Sequence, residues 1–156
     1  MVSMKRPRLA AVEALPNYQL KITFINGNIM TVDKSEAIFA KPGLMPLRDP
    51  DSFAKVQLTS SVGWTIEWID HDIQIGADTL WLEAMYQAAT DDDTRTFLAW
   101  RLRNGLSLSE AARALGMTTR TMSSYGTGAR PVPHHIALAC KGWEIENSRG
   151  NPLWLP

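Results

Sequence analysis

The residues best suited to chemistry lie between Gly105 and Pro133, in GLSLSEAARALGMTTRTMSSYGTGARPVP. Within that stretch, Thr118 to Tyr125 places five Thr and Ser residues around one Arg. Both types are middling helix formers, so helix propensity gives no reason to choose them. A short-chained polar face suits a helix pressed into a groove. There its hydroxyls donate to phosphates or base edges, and Arg120 reaches a guanine bidentately. The chemistry implied is recognition of double-stranded DNA.

Other polar clusters imply less. His134 and His135 follow Pro133, in the first turn of a last helix; neighbours there point about 100° apart and share one metal poorly. A surface or capping role is the simpler expectation for both. Asp70, His71 and Asp72 read as a polar loop after a strand, with no nucleophile elbow, phosphate loop or metal motif beside them. Tyr125-Gly126-Thr127-Gly128 is not a dinucleotide fingerprint, because no strand precedes it. Ile136, Ala139, Cys140 and Trp143 recur at helical spacing, which places Cys140 in the core. No catalytic residue, metal site or cofactor is expected, and the protein is not expected to be an enzyme.

Two short helices must position the polar face. Ser107 and Glu110 have the spacing of a capping box, which satisfies free amides at a helix start. Ala111, Ala112 and Leu115 follow on one face, with Arg113 outward. Gly116 tolerates the left-handed backbone of a helix end. Thr118 then caps a second helix, whose Met122 and Tyr125 face inward. Gly128, Arg130, Pro131 and Pro133 end it.

Composition fits a small soluble protein: 156 residues, 45% hydrophobic and 21% charged. The net charge of zero conceals an asymmetry. Residues 1–93 hold 8 Lys+Arg against 13 Asp+Glu, a net of −5, whereas residues 94–156 hold 8 against 3, a net of +5. The positive half carries the two short helices, where a phosphate-binding surface belongs. One cysteine excludes an internal disulfide, and no apolar run approaches the roughly 20 residues that span a bilayer. The basic start, MVSMKRPRLAAVEAL, has no uninterrupted apolar region before Glu13, which argues against a signal peptide. A bacterial cytoplasm is the expected location.

The first half reads as strands. Arg8 to Leu15 forms one, stopped by Pro16 and Asn17, and Tyr18 to Ile25 alternates as a second. Asn26-Gly27 supplies the positive angles of a two-residue hairpin turn, and Asn28 to Val32 returns. Asp33 to Phe39 is a helical turn, and Lys41 to Pro50 is expected to run over the surface. One helical turn at Asp51 to Phe53 leads into a strand at Ala54 to Thr59. Trp64 to Ile69 is another, with Trp64, Ile66 and Trp68 inward. After Gly76, Ala77 to Ala88 reads as a helix with Leu80, Trp81, Ala84 and Met85 inward. Trp100, on the first helix of the second half, is expected in the core or against the neighbouring domain.

The glycine turn, its flanking helices and the trailing Gly128, Arg130 and Pro133 resemble the helix-turn-helix of the phage repressor, Cro and Xre class, over roughly Thr94 to Glu146. The resemblance implies base contacts at Thr119, Arg120 and Ser124, and phosphate contacts at Ser107, Thr118, Thr121 and Arg130. The chain has Leu108 where that class usually has Gln, and Gly126 where it often has a Glu paired with an Arg of the preceding helix. That second departure leaves Arg101 to contact a phosphate or to pair elsewhere. PLRDPDSF, the Asn-Gly hairpin ahead of it and the closing D..I..D.LW.E resemble a widespread bacterial domain family of unknown function, over roughly Arg8 to Met85. Its members occur alone or ahead of a helix-turn-helix, and some are encoded beside small toxin-like partners.

The expected fold class is α+β: a small antiparallel strand meander with short helices (residues 1–88), followed by an all-α helix-turn-helix bundle (residues 89–156). The expected function is sequence-specific binding of double-stranded DNA by a repressor-like transcriptional regulator acting as a homodimer. The N-terminal domain would supply a dimer contact, a ligand pocket or a partner surface. The alternative is an antitoxin-like module whose N-terminal domain binds a partner protein.

Overall fold

The computed structural model describes Met4 and residues 6–148. The first residues of the basic N-terminus and residues 149–156 of the expected second domain lie outside the described residues. The chain forms two compact units, Met1–Gln87 and Ala88–Pro156. The architecture is α+β, with two three-stranded antiparallel sheets and short helices followed by a helical region.

In the first unit, β1 (Leu9–Leu15), β2 (Gln19–Phe24) and β3 (Ile29–Asp33) form one sheet in that order. The second sheet is β4 (Gln57–Leu58), β5 (Thr65–Trp68) and β6 (Ile73–Gly76). Between the sheets the chain makes α1 (Ser35–Ala40), a 3-10 turn at Pro42–Arg48 and α2 (Pro50–Phe53). The unit closes with α3 (Ala77–Ala88). Alternation puts Leu20, Ile22 and Phe24 of β2 inside, where they pack with Ile66, Trp68, Leu80 and Trp81. The Trp68 indole donates to the Phe53 carbonyl at 2.8 Å, and Phe24 meets Trp81 edge to face.

Several local expectations are corrected here. The β2–β3 turn spans three residues: Gly27 donates to the Phe24 carbonyl, and Phe24 donates to Asn28. Only Gly27 takes a positive φ, at 91°, which is a type I turn closed by a glycine bulge and not the two-residue form. The paired positive angles fall instead at Asn17 and Tyr18. Tyr18 is held there by its hydroxyl, which donates to the Arg48 carbonyl, and by edge contacts with Phe39 and Phe53. The Lys41–Pro50 stretch is not confined to the surface, because Leu47 is in the core. The strand expected at residues 54–59 shrinks to β4, and β6 was not anticipated. Trp64 is 47% exposed, outside the core face that Ile66 and Trp68 occupy; the Arg8 guanidinium covers its ring at 5.3 Å.

In the second unit, α4 spans Asp92–Asn104, α5 Leu108–Leu115, α6 Thr119–Gly126 and α7 His134–Ser148. Asp91 caps α4 by accepting from the Thr94 amide, and the Ser107–Glu110 capping box opens α5. Helices α4 and α7 pack through Trp100 and Trp143, edge to face at 5.6 Å. Trp100 is fully buried within this unit, beside Phe97. On α7 the buried set is Ile136, Ala137 and Cys140; Ala139, expected inward, is exposed. Arg103 grips Glu144 of α7 through two hydrogen bonds of 2.9 and 2.8 Å. No helix among the described residues is long and apolar enough to cross a membrane.

Candidate nucleic-acid interface

Helices α5 and α6 meet at a three-residue turn built around Gly116, whose φ of 67° is the left-handed conformation that glycine adopts without strain. The Gly116 amide reaches the Arg113 carbonyl and the Met117 amide the Ala112 carbonyl, closing α5. One residue later the Thr118 hydroxyl accepts from the Thr121 amide at 3.2 Å and starts α6. Met122 and Tyr125 are buried, and Tyr125 packs edge to face on Phe97. That anchorage turns the opposite face of α6 outward.

On that face Thr119 and Arg120 are exposed, and Ser124 is half-buried one turn beyond Arg120. The Ser124 hydroxyl donates its one proton to the Thr121 carbonyl at 2.7 Å, so in this arrangement it can accept from a base but not donate to one. The Ser107 hydroxyl accepts from the Glu110 amide, as the Thr118 hydroxyl does from the Thr121 amide, which fixes both side chains at the helix starts. Thr121 is half-buried, with its hydroxyl 3.0 Å from that of Thr118. Arg130 is exposed, and its amide is fixed to the Ser124 carbonyl at 3.1 Å, so the segment after α6 is tied back to it.

Arg101 pairs within the unit. It is 3% exposed, and its Nε–H donates to the Leu106 carbonyl at 3.2 Å. A Cβ at Gly126 would stand 3.6 Å from one of its Nη atoms. Its guanidinium therefore sits between the α4–α5 turn and the end of α6. Burial there favours pairing within the unit over a phosphate contact.

Two further residues lie on the outward face. Ser123 and Thr127 stand three and seven positions after Arg120, on the same side of the helix. Ser123 is among the five hydroxyl residues of the polar stretch; the signal for Thr127 was the length of α6, which runs to Gly126 with Thr127 as its C-cap and not merely to Tyr125.

His134 is exposed, and its Nδ1 lies 3.0 Å from an Asp93 carboxylate oxygen, linking the first turns of α7 and α4. Cys140 is buried, and burial pushes its thiol up to about 12, so it is not poised as a nucleophile. Asp70 and His71 lie in a 3-10 turn after β5, and Asp70 is 3.7 Å from Lys55 at the surface. Among the described residues no group of three or more metal-ligating side chains converges. In the first unit an open groove of about 530 Å³ runs between the β1–β2 turn and α2, walled by Leu15, Tyr18, Pro50 and Phe53. No charged side chain lines it.

No protein with a curated description matches the chain. A crystal structure from Nitrosomonas europaea, that of a "putative DNA binding protein", is 38% identical to it. That likeness covers 92% of this chain and 90% of the other, with a TM-score of 0.57. The family described as "Protein of unknown function (DUF2442)" matches residues 9–86, and the chain belongs to that family.

Proposed function

We propose that the C-terminal unit binds double-stranded DNA in a sequence-specific way and that the protein is a transcriptional regulator acting in the cytoplasm. The observation that carries this reading is the outward face of α6. Thr119, Arg120, Ser123, Ser124 and Thr127 line it, while Met122 and Tyr125 anchor the opposite face. The net charge of +5 over residues 94–156 and the neighbour's description support it. Helix α6 enters the major groove, and Arg120 reads a guanine. Ser107, Thr118, Thr121 and Arg130 hold phosphates on either side. The α5–turn–α6 pair acts as a helix-turn-helix of the repressor type. The mechanism is recognition and not catalysis. Two copies bind half-sites about 34 Å apart, because one such module alone offers too few base contacts for specificity.

Comparison of two substitutions tests the assignment. Arg120→Ala should cost about 1–3 kcal/mol at a specific site and relax the preference at one position. Arg130→Ala should weaken all sequences alike and flatten the salt dependence. Equal losses from both, removed by salt, would overturn Arg120 as a base reader.

A further inference from the structure

In the first sheet the antiparallel ladder assigns each backbone group a direction. Phe24 donates to Asn28 and Lys34 donates to Tyr18, so the even residues of β2 face β3. Their partners on β3 are Met30 and Val32. The N–H and C=O groups of Ile29, Thr31 and Asp33 therefore point away from β2, along the outer edge of the sheet. At Asp33 that edge is sealed from within the unit. The Gln87 carboxamide accepts from the Asp33 amide at 2.8 Å and donates to its carbonyl at 2.9 Å, as a neighbouring strand would. At the other end the Gly27 amide is spent on the Phe24 carbonyl. Between these stops lies a window of two residues, Ile29 and Thr31.

Among the described residues the window lacks the usual guards against pairing, which are a charge, a proline or a covering element. Asn28 to Val32 reads NIMTV, without charge or proline, and Ile29 is 61% exposed. The edge of β1, by comparison, carries the exposed Glu13, and its Leu9 amide is bonded to Gly63.

We infer that this edge of β3 is the contact through which two copies of the chain pair, with β3 adding antiparallel to its counterpart about a twofold axis at Met30. The inference deepens the two-copy reading above and rests on it for its biological purpose, though not for its geometry. The sealed ends select the register. Pairing Ile29 with the partner's Thr31, and the reverse, makes four main-chain hydrogen bonds. A shift one way meets Asp33, already held by Gln87; a shift the other way meets Gly27, already spent. The cross-strand pairs are β-branched on both sides and bring no like charges together. The strand edge is short, far below the area of a standard interface, so the pair is weak in solution and is reinforced when both copies sit on adjacent half-sites.

A dilution series of the full ¹⁵N-labelled chain, followed by its amide spectrum, tests this. The Ile29 and Thr31 amides should shift with concentration while the edge of β1 does not. Thr31→Pro removes an N–H that the sheet does not use, so the rest of the spectrum should persist while self-association weakens roughly tenfold or more. Ile29→Lys, which guards the edge without touching the backbone, should do the same if the proline variant fails to fold. Met30→Cys should form a disulfide dimer on oxidation, since residues facing across the axis lie about 4.5 Å apart at Cα. Shifts absent or centred elsewhere, or Thr31→Pro and Ile29→Lys variants that associate like the parent, would overturn the inference. Arg120→Ala should leave the shifts intact; lost DNA binding with intact pairing isolates the interface, and the converse isolates the DNA reading.

Discussion

Replacing Arg101 by Ala separates a scaffold residue from a DNA contact. The residue is 3% exposed, and its guanidinium donates to the Leu106 carbonyl and lies against Gly126, so α4, the α4–α5 turn and the end of α6 meet at it. A hydrogen bond from a charged donor contributes about 1.5–3 kcal/mol, and the buried aliphatic stem adds packing. Truncation should then cost about 3 kcal/mol. For a unit of this size each kcal/mol lowers the melting temperature by about 4–8 °C, so the expected drop is roughly 12–24 °C. Thermal unfolding followed by the fluorescence of Trp100 and Trp143, beside DNA titration at a temperature where the variant is folded, measures both consequences. An unchanged melting temperature with weakened, salt-dependent DNA binding would refute the reasoning and return Arg101 to the phosphate contacts.

Three further outcomes follow from particular contacts. Lys34 is buried with its Nζ 2.8 Å from a Glu83 carboxylate oxygen, so Lys34→Met alone should destabilise the first unit by about 3–5 kcal/mol in urea unfolding. Lys34→Met with Glu83→Leu should recover most of that loss, since an apolar pair of similar volume is often neutral there. Gly63→Ala should cost more than about 3 kcal/mol, because φ is 84° and a Cβ would stand 2.0 Å from the Leu9 carbonyl oxygen; wild-type stability would contradict that geometry. The Arg103 hydrogen bonds hold the Glu144 carboxyl below its ordinary range. A carboxyl depressed in the folded state stabilises above its unfolded value of about 4.3, and the gain disappears as pH falls through the folded value. Glu144→Gln should therefore melt lower at neutral pH, by at most about 1 kcal/mol, and match the parent in strong acid. A gap that persists unchanged at low pH would assign the effect to packing.

The second unit was legible because its signals are local. Ser107 with Glu110, Gly116, Thr118 and the inward Met122 and Tyr125 fix the helix ends and the outward face within twenty residues. What was missed depends on distant chain. Whether Arg101 meets a phosphate or pairs elsewhere is decided by the α4–α5 turn and the end of α6, which lie against it. Ala137 and Ala139 are chemically identical, and the packing of α7 decides which is inside. In the first unit, alternation placed β2, but it also counted Trp64 as core, because a pattern does not reveal that a strand begins one residue later. Lys34 reads as a surface lysine; Glu83, 49 positions away, draws it inside. Strand β6 follows a polar loop whose Asp72 adopts a left-handed φ of 53°, a reversal that no glycine announced.

The central claim is specific DNA recognition by α6. Fluorescence polarisation of the full chain, against the DNA upstream of its own gene and a scrambled copy at two salt concentrations, tests it most directly. Tighter binding to the upstream DNA that persists at the higher salt is the predicted result. Equal binding to both DNAs that salt abolishes, or no binding, would contradict the account and leave a basic face without sequence preference.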